Sequence, residues 1–138
     1  MKKLILLIAI AFLAITVFAQ PLKKGNLIGV HVVTVELKPG VTMEQFKDFL
    51  VNKYLPEVNK TDPNWQIFMA EGIRGENANQ IGFIHVIKST KDRDKYYNED
   101  GTENEKMVEP RMKKIQPVID EMVKLGSYTT KYTDWVIK

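Results

Sequence analysis

The sequence contains no cysteine among its 138 residues. Disulfide bonds, thiolate metal sites and cysteine nucleophiles are therefore excluded, so packing alone must stabilise the folded chain. Only two histidines are present, His31 and His85. A glycine-rich phosphate loop and a Ser/His/Asp arrangement in a supporting context are also lacking. These absences remove most familiar catalytic motifs and leave the two histidines as the main candidates for chemistry.

The first nineteen residues, 1–19, are typical of a secretory signal peptide. Lys2 and Lys3 precede an unbroken apolar run, and Ala19 supplies the small residue of a cleavage site. The run is shorter than the ~20 apolar residues that a membrane-spanning helix needs. We therefore expect cleavage after Ala19 rather than a membrane anchor, which places the mature chain, residues 20–138, in the periplasm or outside the cell.

The charge balance changes once this leader is removed. Without Lys2 and Lys3, 18 basic residues remain against 17 acidic residues, and the net charge is about +1. A phosphate-neutralising surface is not indicated, so we expect no nucleic-acid partner. The length of the mature chain suits a single domain with one hydrophobic core.

Hydrophobic patterning predicts the order strand, helix, strand, strand, helix, strand. β-Branched residues from Leu27 to Leu37 predict the first strand. Thr42 and Gln45 form a capping box that opens the first helix. We expect Pro56 to kink or end that helix and Pro117 to kink the last one. The other predicted elements are strands at Trp65–Ile73, Gln80–Lys88 and Tyr128–Ile137, a short helix from Ser89 to about Tyr97, and a helix with an apolar stripe from Val108 to Met122.

This order is the split βαβ arrangement, an α+β, ferredoxin-like fold in which helices cover one face of a four-stranded antiparallel sheet. A wet second face should be polar, yet the central first and third strands are apolar on both faces. Burying one Val or Ile side chain stabilises a protein by about 1.5–3 kcal/mol. We therefore expect another surface to shield the second face from water. We expect the same face of a second copy, giving a dimeric α/β barrel, with a bound lipid or another partner as alternatives. The residues concerned are Val30, Val32, Ile84 and Val86.

The first strand and helix carry a resemblance to a known family. The segment from His31 to Thr42, followed by Glu44 and Gln45, resembles the opening of the stress-responsive A/B-barrel (Dabb) group within the dimeric α/β-barrel superfamily. The wider superfamily includes antibiotic-biosynthesis monooxygenases and plant polyketide cyclases. The resemblance implies a homodimer and a pocket between the sheet and the helices, and it supports the fold better than any one activity.

In the cyclase members, the resemblance implies histidines on the first and third strands and a tyrosine after the third strand. His31, His85 and Tyr96 stand at or near the corresponding places. The cyclases also carry a His-Pro-x-His segment that supplies the acid and base, whereas this chain has Asn98 to Thr102 in that stretch. The helical His and third-strand Trp of haem-degrading members are missing too.

Two interpretations of the histidines stay open. If the register permits, they face each other across neighbouring strands and act as a base and a hydrogen-bond donor near neutral pH. Alternatively, each is a core histidine with a backbone or tyrosine partner. A metal site would need a third ligand such as Glu71, but the spacing matches no motif, so we expect neither a metal nor a cofactor.

Four large side chains are candidates for lining a ligand cavity, although such residues on strands also serve as plain core. They are Trp65, Phe68, Met69 and Trp135. The leading hypothesis is a secreted dimer that binds a small apolar ligand between sheet and helices. The alternatives are a cofactor-free monooxygenase- or cyclase-like enzyme using His31, His85 and Tyr96, and a structural interaction module without a pocket. Convergence of those three residues on one cavity of roughly 300 Å³ or more separates these hypotheses.

Overall fold

The structure is a computed structural model that describes residues 22–98, 100 and 102–138. The signal peptide predicted over residues 1–19 lies outside these residues and stays a prediction, which N-terminal sequencing of the exported protein tests. None of the helices in the described part of the chain combines the length and the apolar character needed to span a bilayer.

The strands and helical stretches of the described chain follow one another in the predicted order. The first helical stretch consists of two α-helices separated by a π-helical turn. The elements are β1 (Leu27–Leu37), α1 (Met43–Phe49), the π-helical turn (Leu50–Tyr54), α2 (Leu55–Lys60), β2 (Trp65–Glu71), β3 (Ile81–Ile87), α3 (Thr90–Arg93), α4 (Glu105–Leu125) and β4 (Gly126–Val136).

The four strands form one antiparallel sheet in the order β2-β3-β1-β4. The predicted α+β class and the four-stranded antiparallel sheet are thereby confirmed, and the arrangement is compatible with a ferredoxin-like fold. The main core lies between the sheet and the helices, where Phe46 and Leu50 are fully buried against Val33 and Phe83.

Local signals in the sequence specify how β1 leads into α1. Val41 donates its amide hydrogen to the Lys38 carbonyl at 3.1 Å, and Gly40 has φ +80°, which a type II turn requires at that position. The predicted capping box is present, because Gln45 donates its amide to Thr42 Oγ1 at 3.2 Å and Thr42 donates its amide to Gln45 Oε1 at 2.9 Å.

Of the two outcomes predicted for Pro56, a kink or an end of the helix, the end is not observed. The Leu55 amide donates to the Leu50 carbonyl five residues earlier, so the preceding turn is π-helical. This wider turn lets Pro56 occupy the first turn of α2, where a missing amide hydrogen breaks no helical bond. The second α-helix consequently runs on to Lys60.

The third helix is shorter than predicted. Ser89 caps it by accepting the Asp92 amide at 3.1 Å, but the helix ends at Arg93. The chain then turns, and Tyr97 forms a single antiparallel bridge with Glu103. Two tyrosines, at positions 96 and 97, therefore sit in irregular structure beside the sheet.

Asn59 attaches α2 to the outer edge of β2. Its side-chain amide donates to the Ile67 carbonyl at 2.8 Å, and its side-chain oxygen accepts the Ile67 amide at 2.7 Å. Both edge groups of Ile67 are thus satisfied as a further strand would satisfy them. This attachment holds Thr61 and Asp62, which follow α2, next to the end of the sheet where Trp65 begins β2.

The central strands are apolar on both faces, as predicted. One face packs against the helices; the other, called here the open face, carries the alternate residues. Val30 on that face is 37% exposed, Phe68 53% and Trp135 60%. The large apolar residues of the open face are Ile28, Val30, Val32, Phe68, Ile84, Val86 and Trp135.

Candidate functional site

The two histidines lie side by side on the face of the sheet that the helices cover. Their rings stack with centroids 3.9 Å apart and planes 11° from parallel. They are diagonal neighbours rather than directly opposed, because His31 pairs with Phe83 and His85 pairs with Gly29. A Cβ at Gly29 would lie 3.2 Å from the His85 Cβ and 3.3 Å from His31 Nε2. The glycine therefore leaves the space in which the rings meet.

An indole fixes the proton on His85. Trp65 Nε1 donates to His85 Nδ1 at 3.1 Å, and since indole N–H can only donate, that ring nitrogen carries no hydrogen. A neutral His85 consequently holds its hydrogen on Nε2. The partner is a tryptophan, whereas the core interpretation expected a backbone group or a tyrosine. Tyr132 stacks on the other side of His31, at 4.9 Å between centroids.

Both imidazoles are neutral at physiological pH. Burial lowers the pKa of His85 to about 3, together with the repulsion that a second charge on the stacked His31 ring and the charge of Arg111 would exert on a protonated His85. Burial also lowers the pKa of His31, although the carboxylate of Asp134 opposes this effect. His85 uses its acceptor nitrogen for Trp65 and keeps the hydrogen on Nε2 as a donor. A neutral His31 has one acceptor and one donor nitrogen, which suits hydrogen bonding or proton abstraction.

Tyr96 contributes a ring to the site rather than a free acid. It is 9% exposed, and its hydroxyl donates to Asp62 Oδ2 at 2.7 Å. Burial and this hydrogen bond raise the pKa of Tyr96 to about 12, so the phenol stays protonated. Its ring meets Trp65 edge to face at 5.3 Å. The hydroxyl of Tyr96 is therefore engaged with Asp62, and the residue contributes its aromatic ring to the site.

Arg111 on α4 completes the wall that Trp65 and Tyr96 form. Its guanidinium lies 4.9 Å from the centroid of Trp65 and 5.1 Å from that of Tyr96, and its Nε donates to Thr61 Oγ1 at 2.7 Å. The sequence analysis missed this residue. The available signal was its position between Val108 and Ile115, where a cation interrupts the apolar stripe of the helix.

These residues surround one cavity of about 270 Å³ between the sheet and the helices. His31, His85 and Tyr96 all line it, so the three residues share one cavity, whose volume is slightly below the roughly 300 Å³ named above as the discriminating size. The rest of the wall is largely apolar. It includes Tyr54, Leu55, Val58, Trp65, Ile67, Phe83, Tyr97, Val108, Met112, Ile115, Tyr128 and Thr130, with Glu103 and Arg111 as charged members.

Of the four predicted ligand-binding residues, only Trp65 lines this cavity. Met69 packs against the main core, outside the lining. Phe68 and Trp135 lie on the open face, so placing them in a cavity between sheet and helices was wrong. The physical reason is the two-residue period of a strand, which sends a side chain one position away to the opposite face.

Glu71, the conceivable third metal ligand, lies away from the histidines. Its carboxylate forms an ion pair with Lys47. Among the described residues, no group of three or more His, Asp or Glu side chains is arranged to hold a metal ion.

A second, water-sized space of about 20 Å³ lies on another side of the histidine pair. Arg93 borders it, forming an ion pair with Asp134 at 3.2 Å and lying 4.9 Å from the centroid of Tyr97. Tyr132, which stacks on His31, borders it as well. Aromatic rings and an ion pair thus cover the histidines where the main cavity does not.

Comparison with known proteins identifies no family for this chain. No protein-family model matches the chain, and a search of curated proteins gives no match. The cavity itself, with two neutral imidazoles, an aromatic wall and one arginine, is what indicates function.

Proposed function

We propose that the protein binds a small, planar, largely apolar molecule in the cavity between the sheet and the helices. The observation that carries this proposal is the cavity of about 270 Å³ lined by aromatic and aliphatic side chains with two stacked histidines in its wall. Ligand sites in proteins are concave and mostly apolar, with a few polar groups that fix orientation. This cavity has that composition.

The volume indicates the size of the ligand. A dry cavity of about 150 Å³ lined by aliphatic side chains is enough to bind benzene. The cavity here is nearly twice that volume, at about 270 Å³, which suits two fused rings. Tyr54 and Tyr128, whose hydroxyls are 3.2 Å apart, satisfy each other at one part of the wall. The neutral histidines remain available to orient a polar group of the ligand.

Binding of 2-naphthamide, a neutral two-ring probe, tests this proposal by isothermal titration calorimetry. Thr130 lines the cavity from β4 and is exposed, so Thr130→Phe fills space without opening the core. We expect Thr130→Phe to weaken binding at least about tenfold, since the ring would occupy the ligand's volume. The control is Lys114→Phe, at an exposed residue of α4 that lies outside both the cavity lining and the open face, and it should bind as the wild type does. Equal effects of both substitutions, or failure of the wild type to bind both 2-naphthamide and the carboxylate of the same shape, 2-naphthoate, would contradict the proposal.

We also propose that the open face pairs with the same face of a second copy, which yields a dimeric α/β barrel. A two-fold axis requires a self-complementary surface, and an apolar patch meets that requirement. Within the four described strands, the charged positions on this face are Glu36 and Lys131, which are of opposite sign. Stacked sheets separated by about 10 Å would remove the apolar side chains from water.

A second candidate function is proton abstraction from a bound ketone, and the stacked neutral histidines are the observation that favours it. His31, half-buried beside Asp134, would be the base. The test uses 2-tetralone in D₂O, with exchange of its α-protons followed by NMR. An enzyme should accelerate exchange, and His31→Gln should abolish the acceleration while binding persists. Exchange at the rate of buffer alone would leave ligand binding as the function.

A further inference from the structure

We infer that the ligand of this cavity is an aromatic carboxylate whose acidic group pairs with Arg111. The inference deepens the proposed binding function and rests on it. It starts from the position of the arginine. Arg111 is half-buried and stands on the apolar stripe of α4 that faces the sheet, where an uncharged side chain would satisfy packing at lower desolvation cost.

The guanidinium is held in a fixed position. It lies against the rings of Trp65 and Tyr96, and its Nε donates to Thr61. That hydrogen bond uses one of the five N–H donors of arginine. Stacked in this way, the group loses little conformational entropy when it binds a carboxylate through its two Nη atoms.

Arg111 has no acidic partner among the described residues. None of their ion pairs includes it, and Nε to Thr61 is its one side-chain hydrogen bond in that part of the chain. Arg93, which borders the smaller space, contrasts with it and is paired with both Asp94 and Asp134. A partly desolvated cation is normally paired, so the cavity has a position for an anion.

Among the polar groups that line the cavity, Arg111 is the one suited to bind an anion. The histidines are neutral, and the positive charge of Arg111 is among the causes that lower the pKa of His85. Glu103, the other charged residue of the lining, is exposed to solvent, where water and salt screen its charge. The flat apolar walls fit the ring of the ligand, while the arginine fits its carboxylate.

Two probes of the same shape test the inference. Calorimetry at pH 7 compares 2-naphthoate with 2-naphthamide on the wild-type protein and three variants. A hydrogen-bonded charge pair predicts that the wild type binds naphthoate at least about tenfold more tightly than the amide. Arg111→Gln should abolish that preference, and Arg111→Lys should retain part of it because the charge remains. Lys113→Gln removes a cation from the same helix at an exposed side chain paired with Glu109, and should behave as the wild type.

The outcomes separate this inference from the binding function. Equal affinity of the wild type for both probes would overturn the carboxylate inference and leave the proposed binding function intact. Failure of both probes to bind would overturn both. If Arg111→Gln loses its fold, as judged by circular dichroism, the preference of the wild type and its partial loss in Arg111→Lys still decide the question, and an undiminished preference in Arg111→Lys would overturn the inference.

Discussion

Ile84→Glu is expected to convert the proposed dimer into a monomer. Ile84 lies at the middle of the open face, directly between Val30 and Phe68 on the two neighbouring strands. In the proposed dimer a glutamate there would be buried without a partner, at a cost of several kcal/mol for each ion. Because both subunits of the dimer carry the substitution, this cost arises twice. The dissociation constant should therefore rise at least about 1,000-fold.

Sedimentation equilibrium of residues 20–138 measures this effect. The matched control is Val123→Glu, which introduces the same charge at an apolar residue that is 51% exposed on α4. Since α4 lies on the helical side of the sheet, the control should remain dimeric. A wild-type chain that stays monomeric at high concentration, or an Ile84→Glu variant that still dimerises, would contradict the pairing of open faces.

Acidification from pH 7 to pH 4 is expected to destabilise the protein by about 2–3 kcal/mol through His85 alone. The folded-state pKa of His85 is about 3, below the value near 6.5 of an unfolded chain. The unfolded state therefore takes up a proton between these values while the folded state does not. The contribution of His85 to stability is complete above pH 6.5 and declines as the pH falls toward 3.

Urea denaturation at pH 7, 5.5 and 4 measures this dependence. Carboxylates add their own effect, since Asp92 has a lowered pKa because it accepts hydrogen bonds from Lys95 and Ser89. The His85→Gln variant isolates the histidine, because glutamine can still accept from Trp65 but does not titrate. The loss between pH 7 and pH 4 should be smaller in this variant by about 2–3 kcal/mol. An equal loss in both proteins would show that His85 does not remain neutral in the folded state.

Much of the fold could be predicted because its signals are local. The β-branched run of β1, the turn at Gly40 and the capping box of Thr42 each specify a few neighbouring residues, and all three are observed. The helical stretch around Pro56 could not be predicted in this way. The helix continues because a π-helical turn, Leu50–Tyr54, directly precedes α2. The pattern of apolar residues does not distinguish that turn from an α-helix.

The site was predictable in part. Placing His31 and His85 on neighbouring strands followed from the order of elements, but their diagonal contact depends on strand register and on Gly29, which sequence patterning does not fix. Residue type alone predicts that Phe68 and Trp135 line a cavity, but the face of the sheet on which each lies depends on strand register. Arg111 does not stand out in the sequence, because the pattern that defines the helix consists of its apolar residues.

The same two strands serve the cavity and the open face. On β1, His31 faces the cavity, while its neighbours Val30 and Val32 face the other way. On β3, His85 lies between Ile84 and Val86 in the same alternation. Each central strand thus carries a cavity-lining histidine on one side and apolar side chains on the other. Neither strand therefore shows the polar face of a solvent-exposed sheet.

Intermolecular nuclear Overhauser effects between 2-naphthoate and methyl-labelled protein provide the most direct test of where a ligand binds. The cavity predicts contacts from the ring protons to the methyl groups of Ile67, Met112 and Ile115, which line it. Contacts to Val30 and Ile84 on the open face, with none to the cavity methyl groups, would contradict the account.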